Sequence, residues 1–315
     1  ELLKFMATGE LSNRIHGIDL PDIPLWAVWA VQQYAKSIST TAAHDEYMEL
    51  VEQIVNYILD NNHPNLQVDQ NCMVSTIGTS MPVSWMNSMM WGKPVVPRTG
   101  YLVEFNALWY NALRFAAKLS ENDESRQEFH NKCLAQAEKI VEPFVNMFLN
   151  DYGYLYDYVT GTYADPSVRP NMVIAVGLDY SPLDRRQRKR VLDVATRELL
   201  TPKGLRTLSP RSYGYRPFYL GSPEDREISL HNGPARPWLM GFYADAYLRV
   251  FGMSGVSYID RMLIGFEDEM SQGCIGSLSQ LYDGNPPFAG RGAISHATNV
   301  AEVLRTLRTL KKMTV

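Results

Sequence analysis

Val103-Glu104-Phe105-Asn106-Ala107-Leu108-Trp109-Tyr110-Asn111-Ala112-Leu113 is the stretch whose reading decides the fold. It lies inside a long helix predicted over 102–119, and the segments on both sides of it read as helices too. Downstream, 124–149 gives a second long helix, with Pro143 inside it as an expected kink or break. Upstream, Leu25, Val28, Trp29, Val31 and Ala35 recur at helical spacing within 24–39. A helix over 44–60 follows, opening at His44-Asp45 and carrying Leu50, Ile54, Tyr57 and Ile58 on one face. Further helices are predicted over 170–179, over 184–200 with Asp184 as N-cap, and over 236–251, 256–272 and 293–312. Glu1 to Ala7 reads as the tail of a helix closed by Gly9. Strand alternation is almost absent, with Tyr154-Leu155-Tyr156 as one short candidate.

The loops 61–100, 201–235 and 273–292 hold most of the Pro and Gly. Loops of that length in a compact domain usually carry function. Paired helices with functional loops at one end predict an all-α fold, an α/α toroid. The apolar periodicity continues to the C-terminus, so 1–315 reads as one domain rather than two.

Composition narrows the function. The chain has 315 residues, 45% hydrophobic and 20% charged, with a net charge of −4. No basic stripe exists, which argues against nucleic acid as a partner. The run Arg185-Arg186-Gln187-Arg188-Lys189-Arg190 reads as a solvated helix face. Cys72, Cys133 and Cys274 are scattered, odd in number and without metal-ligand spacing, which predicts a reduced, cytoplasmic protein. The six histidines do not cluster, so no metal site is expected. Neither a secretory signal nor a membrane span is visible. Aromatics make up 11% of the chain, which suits either sugar-stacking surfaces or a large core. The oligomeric state is not legible.

Loop motifs carry a family resemblance. Ser84-Trp85-Met86-Asn87 is followed by Pro97-Arg98 and then by the helix quoted first. Asp22 with Leu25-Trp26, Arg169-Pro170-Asn171, Thr201-Pro202 with Gly204 to Pro210, and His231-Asn232-Gly233 before Pro237-Trp238 continue in order. Asp283-Gly284-Asn285-Pro286-Pro287 and Val300-Ala301-Glu302-Val303-Leu304-Arg305 close the series. Nearly the whole chain thus resembles the C-terminal amylo-α-1,6-glucosidase domain of bacterial glycogen-debranching enzymes. The resemblance implies a six-hairpin (α/α)6 toroid or barrel lacking its first helices in this chain, with the first pair upstream of Glu1. It implies an α-glucan or branched oligosaccharide as partner, and no cofactor.

The implied reaction is hydrolysis of an α-1,6-linked glucose stub with inversion. That chemistry needs a carboxylic acid and a carboxylate on opposite faces of the bond, ~6.5–9.5 Å apart. The family's acid is the Asp of a Thr-Trp-Met-Asp segment, and Asn87 stands at the matching position. Its base is the Glu of a Ser-Glu-Ile-Phe-Asp-Gly segment, matched by Ser279-Gln280-Leu281-Tyr282-Asp283-Gly284, so Gln280 stands there. An amide keeps the shape but has no labile acid proton and no useful basic oxygen. Each group is worth ~10²–10⁴-fold, so hydrolysis is expected to be impaired or absent.

Two alternatives stay open: an active glucosidase using another carboxylate among Asp22, Glu104 and Asp283, and a structural or regulatory module without sugar binding. Asp22, Trp26, Trp85, Trp91, Glu104, Trp109, His231, Asn232, Arg236, Trp238 and Asp283 are the expected substrate-binding residues. Arg236 replaces an aromatic of the family pattern. Trp29 and His296 read as packing, Asp157 and Asp165 as turn residues. Met81, Met86, Met89 and Met90 read as filler around the pocket floor.

Overall fold

The computed structural model describes residues 20–38, 40–77 and 81–314. The helical tail expected at residues 1–7, with Gly9 as its cap, lies outside the described residues. The helices are α1 (Ile23–Ala35), α2 (Thr40–Leu59), α3 (Val103–Ser120), α4 (Gln127–Phe148), α5 (Asn171–Gly177), α6 (Arg185–Leu199), α7 (Pro223–Ser229), α8 (Leu239–Phe251), α9 (Val256–Ile264) and α10 (Ala297–Thr314). The strands are short: β1 (Leu66–Val68), β2 (Val74–Thr76), β3 (Met89–Met90), β4 (Lys93–Pro94), β5 (Tyr101–Leu102), β6 (Tyr158–Thr160), β7 (Tyr163–Ala164), β8 (Leu200–Thr201), β9 (Gly204–Arg206), β10 (Ala235–Arg236), β11 (Leu281–Tyr282) and β12 (Gly290–Arg291).

The organising element is α3. All its residues are buried except Arg114 and Lys118, the pattern of a helix surrounded by others. It packs on α1, α2, α4 and α5. A second hub, α8, packs on α5, α6, α9 and α10. Side chains join the two ends of the array: the Arg305 guanidinium of α10 lies 5.7 Å from the Trp29 ring of α1, and Lys312 Nζ donates to Lys36 O at 3.2 Å.

Local chemistry explains the helix ends. Asp184 caps α6, accepting from Gln187 N while the Gln187 side chain accepts from Asp184 N. The predicted start at His44 moves back to Thr40. Pro143 does not break α4; Lys139, whose carbonyl has no proline N–H to meet, lies exposed. The helix expected over 256–272 stops at Ile264, at Gly265, and resumes as a 3-10 turn over Asp268–Ser271.

The expectation of a helical fold holds, with an addition the sequence did not show. The fold is mostly helical, but the loops pair with each other into small sheets. In the largest, β8, β9, β10, β11 and β12 lie side by side, antiparallel. Ala235 stands opposite both Arg206 and Tyr282. That sheet takes Arg236, where a helix is predicted to start, and α8 begins at Leu239. The Tyr154–Tyr156 strand reduces to a single bridge between Leu155 and Leu149.

Candidate active site

The loop carrying Asn87 is held from below by a buried ion network. Arg98 grips Glu104 at the start of α3 with two hydrogen bonds, 2.5 and 2.7 Å. Its Nε donates to Asp157 Oδ2 at 2.7 Å, and Nη1 donates to Ser84 Oγ at 3.1 Å. Asp157 Oδ1 accepts from Asn171, whose own oxygen accepts from the Trp85 indole, both at 2.8 Å. Arg98, Glu104 and Asp157 side chains are almost entirely buried. A buried charge is tolerated when paired and hydrogen-bonded, and this set meets that condition. Burial nevertheless holds the Glu104 carboxyl above its usual range, against the Arg98 charge that lowers it. The network fixes Ser84 and Trp85, and hence the position of Asn87.

Above it opens a cavity of about 410 Å³. Its aromatic wall comes from α1, the Trp85 loop and α8: Trp26, Trp29, Trp85, Trp238 and Phe242. Most of these rings meet edge to face, while Trp29 lies tilted against Phe242. Trp26 lies 5.6 Å from Trp29 and 6.2 Å from Trp238; Trp85 lies 5.2 Å from Trp238 and 5.3 Å from His231. Asn87 and Gln280 both line this cavity, from two different loops. Asn87 N donates to His231 Nε2 at 3.2 Å, across 144 residues of sequence. Gln280 is held by backbone: its Oε1 accepts from Ala293 N at 3.2 Å and its own N donates to Ala293 O at 2.8 Å. Gly292, at φ +71°, sits so close to the Gln280 side chain that a Cβ there would collide with it.

The polar lining is rich in donors. His231 Nε2 accepts the Asn87 N–H, so the ring proton belongs on Nδ1, which is buried and has no partner. Burial, then the nearby Arg236, pushes the His231 pKa well below 6.5, so the ring is neutral at pH 7. Arg236 is 6% exposed. Its Nη2 donates to Leu230 O at 3.3 Å and its Nε has no partner. Burial lowers its pKa to about 10. His296 also lines the cavity, and burial followed by Arg236 lowers its pKa. Glu302 of α10 is the carboxylate on the wall among the described residues. It is bound by Arg305, whose Nε and Nη2 donate at 2.8–3.1 Å, and Arg305 also pairs with Asp245.

Of the residues singled out by sequence, Trp26, Trp85, Asn87, His231, Arg236, Trp238 and Gln280 converge here. Others stand elsewhere. Asp22 is buried, its carboxyl in reach of the Trp26 side chain and the Trp85 backbone, and burial followed by Glu104 raises its pKa to about 7. Glu104 is the Arg98 partner described above. Asp283 is fully buried, with Arg291 donating at 2.8 and 3.0 Å and Tyr219 N at 3.0 Å, which ties two loops together. Trp109 lies in the core, its indole donating to Cys72 O at 3.1 Å. Trp91 and Asn232 line a separate, broader cleft of about 950 Å³, beside Tyr213 and Tyr215. Asp157 is a network member rather than a simple turn residue. Of the methionines, Met86 is buried beside Asn171, Met90 lines the broad cleft, and Met81 is exposed. Trp29 and His296, read as packing, reach the cavity wall. Glu302 lay inside a quoted segment but was not singled out; its Arg three residues on was the available signal.

Among the described residues no three His, Cys, Asp or Glu side chains gather as metal ligands. Cys72 and Cys133 are buried, and all three cysteines are unpaired. No described helix is long and apolar enough to cross a membrane.

Comparison with known proteins agrees with the loop motifs. The family model for amylo-alpha-1,6-glucosidase matches residues 14–305. The chain belongs to that family. The glycogen debranching enzyme of Saccharomyces cerevisiae is 26% identical over 190 residues, covering 50% of this chain and 12% of that relative. The chain therefore matches only a small part of the longer protein. Among solved structures, an uncharacterized conserved protein from Thermus thermophilus is similar in fold, with a TM-score of 0.61 over 91% of this chain and 77% of the other, at 14% identity.

Proposed function

We propose that the cavity binds an α-glucan or branched oligosaccharide of the glycogen type, and that hydrolysis is impaired or absent. The observation that carries this reading is the placement of Asn87 and Gln280 on the wall of one aromatic-lined cavity. Side-chain ends at an inverting separation, ~6.5–9.5 Å, belong to the same reading. Neither amide can donate or take up a proton as a carboxyl does. The candidate replacements are poorly placed: Glu104 and Asp283 are locked by arginines, and neither they nor Asp22 lines the cavity. An aromatic wall with hydrogen-bonding groups beside it suits a pyranose ring, whose faces are apolar and whose rim is polar.

We take the helices as successive hairpins of a six-hairpin toroid, forming one domain over 1–315. A reducing, cytoplasmic setting fits the three unpaired cysteines. Glycoside inversion needs no cofactor.

The test is glucose release from a branched limit dextrin by this chain and by its Asn87→Asp/Gln280→Glu double variant, each also joined to any natural upstream segment. The unmodified chain is expected to release little or none, and the double variant to gain at least ~10²-fold. Robust release by the unmodified chain overturns the assignment. One observation favours a second reading, an active enzyme using a different carboxylate: Glu302 lines the cavity, with a pKa raised by burial.

A further inference from the structure

The cavity wall is short of negative charge. Glu302 is already matched by Arg305. Asn87 and Gln280 are neutral at any pH, and His231 is neutral at pH 7. That leaves the Arg236 guanidinium, 6% exposed, with no carboxylate in ion-pair contact among the described residues. Among the described residues its one hydrogen bond to protein goes to a backbone carbonyl, Leu230 O, and its Nε has none. A buried guanidinium ordinarily finds an anion, because desolvation without a counter-charge is expensive.

The neighbouring groups point the same way. His231 turns its lone pair to Asn87 N and keeps an unpartnered Nδ1–H. Gln280 has its oxygen engaged by Ala293 N, which leaves the amide nitrogen free to donate. So donors on a guanidinium, an imidazole and an amide remain unspent, among the described residues, on side chains that line one cavity. A neutral hydroxyl asks for both donors and acceptors. A phosphate or carboxylate asks for donors and positive charge only.

We propose that the saccharide held in this cavity carries an anionic group, a phosphate or a carboxylate, and that Arg236 with His231 and Gln280 receives it. This rests on the reading of the cavity as a saccharide site and narrows its substrate class. The group supplies the charge that the cavity lacks, with Arg236 able to offer a two-toothed contact.

The test is calorimetric or competition binding at pH 7.5 with the full chain and four probes: glucose, glucose 6-phosphate, glucuronate and inorganic phosphate. A neutral maltooligosaccharide serves as reference. The anionic sugars are expected to bind at least ~10-fold tighter than glucose. Their advantage shrinks in 0.5 M salt less than a surface site's would, since the pair is buried. Arg236→Gln abolishes the advantage, and Arg236→Lys keeps part of it. The phosphate and carboxylate arms say which group is preferred. Equal affinity for glucose and both anionic sugars overturns the inference and leaves the glucan reading standing. Inorganic phosphate binding as tightly as glucose 6-phosphate, with no binding of glucose or glucuronate, also overturns it. No binding of any sugar, neutral or anionic, removes this inference and the proposed function together. The wild-type comparison decides the matter even if Arg236→Gln fails to fold.

Discussion

Replacing Arg98 by methionine removes the one cation shared by Glu104 and Asp157 while roughly keeping side-chain volume. Both carboxylates are then left in the interior, their side chains about 0% and 1% exposed. Breaking a buried pair by removing one partner costs roughly 3–5 kcal/mol. An unfolding entropy of about 2.1 cal/mol/K per residue over this length amounts to about 0.65 kcal/mol/K, so the melting temperature should fall by about 5–8 °C. The loss also depends on pH. Burial already holds the Glu104 carboxyl above its ordinary value with Arg98 present, and removing the cation pushes it further up. A carboxyl whose folded pKa exceeds its unfolded one makes stability fall as pH rises through that interval. The variant should therefore be hurt more at pH 8 than at pH 5.5. Circular-dichroism melts of wild type, Arg98→Met and Arg98→Lys at both pH values provide the assay, with Arg98→Lys intermediate because it keeps charge but not the two-toothed grip. A shift under about 2 °C for Arg98→Met at pH 8, or a loss independent of pH, would refute the account of this network as what holds the Asn87 loop.

Three further outcomes follow from the same structure. Asp22 has a folded pKa near 7, raised by burial and Glu104, so wild-type stability should decline between about pH 4 and pH 7 from this group, and Asp22→Asn should flatten that slope in denaturant melts at pH 5 and pH 8. Trp91 is 85% exposed beside Tyr213 in the broad cleft; Trp91→Ala should weaken binding of long maltooligosaccharides by ~2–12-fold with glucose affinity unchanged, as measured by titration. Glu302→Gln should leave the glucose release gained by the Asn87→Asp/Gln280→Glu variant largely intact. If it instead abolishes a measurable wild-type activity, the cavity carboxylate is the acting group.

The helices were legible wherever one local rule dominates. Asp184 announces α6 because its side chain can only serve as a cap there, with Gln187 answering from the third position. Ser222-Pro223-Glu224-Asp225 carries an equally local signal for α7, with a reciprocal Ser222–Asp225 cap, yet it was hidden inside a loop expected to lack regular structure. The small sheets were not legible, since strands of two or three residues owe their pairing to loops brought together from afar, as Ala235 is with Tyr282. Site residues divided on the same principle. Trp109 and Trp91 are the same residue type near the same loops, but α3 is enclosed on all sides while Trp91 sits at φ +50° on an exposed turn. Residue type alone does not say which face a tryptophan occupies. The Arg98 network was out of reach for a similar reason: Glu104 and Asp157 are joined only by folding, and each alone reads as a binding or turn residue.

The lining of the cavity draws on residues 26–29, 85–87, 230–242, 280 and 296–302, and on nothing between 88 and 229. Apart from the broad cleft around Trp91, that long middle section, with α3 at its centre, is chassis rather than instrument. Evolution can therefore tune the two separately. Outside that cleft, substitutions in the middle section change how long the protein survives, and those at the cavity change what it recognises. A lineage could exchange its ligand through a handful of loop positions while the scaffold beneath stayed recognisable.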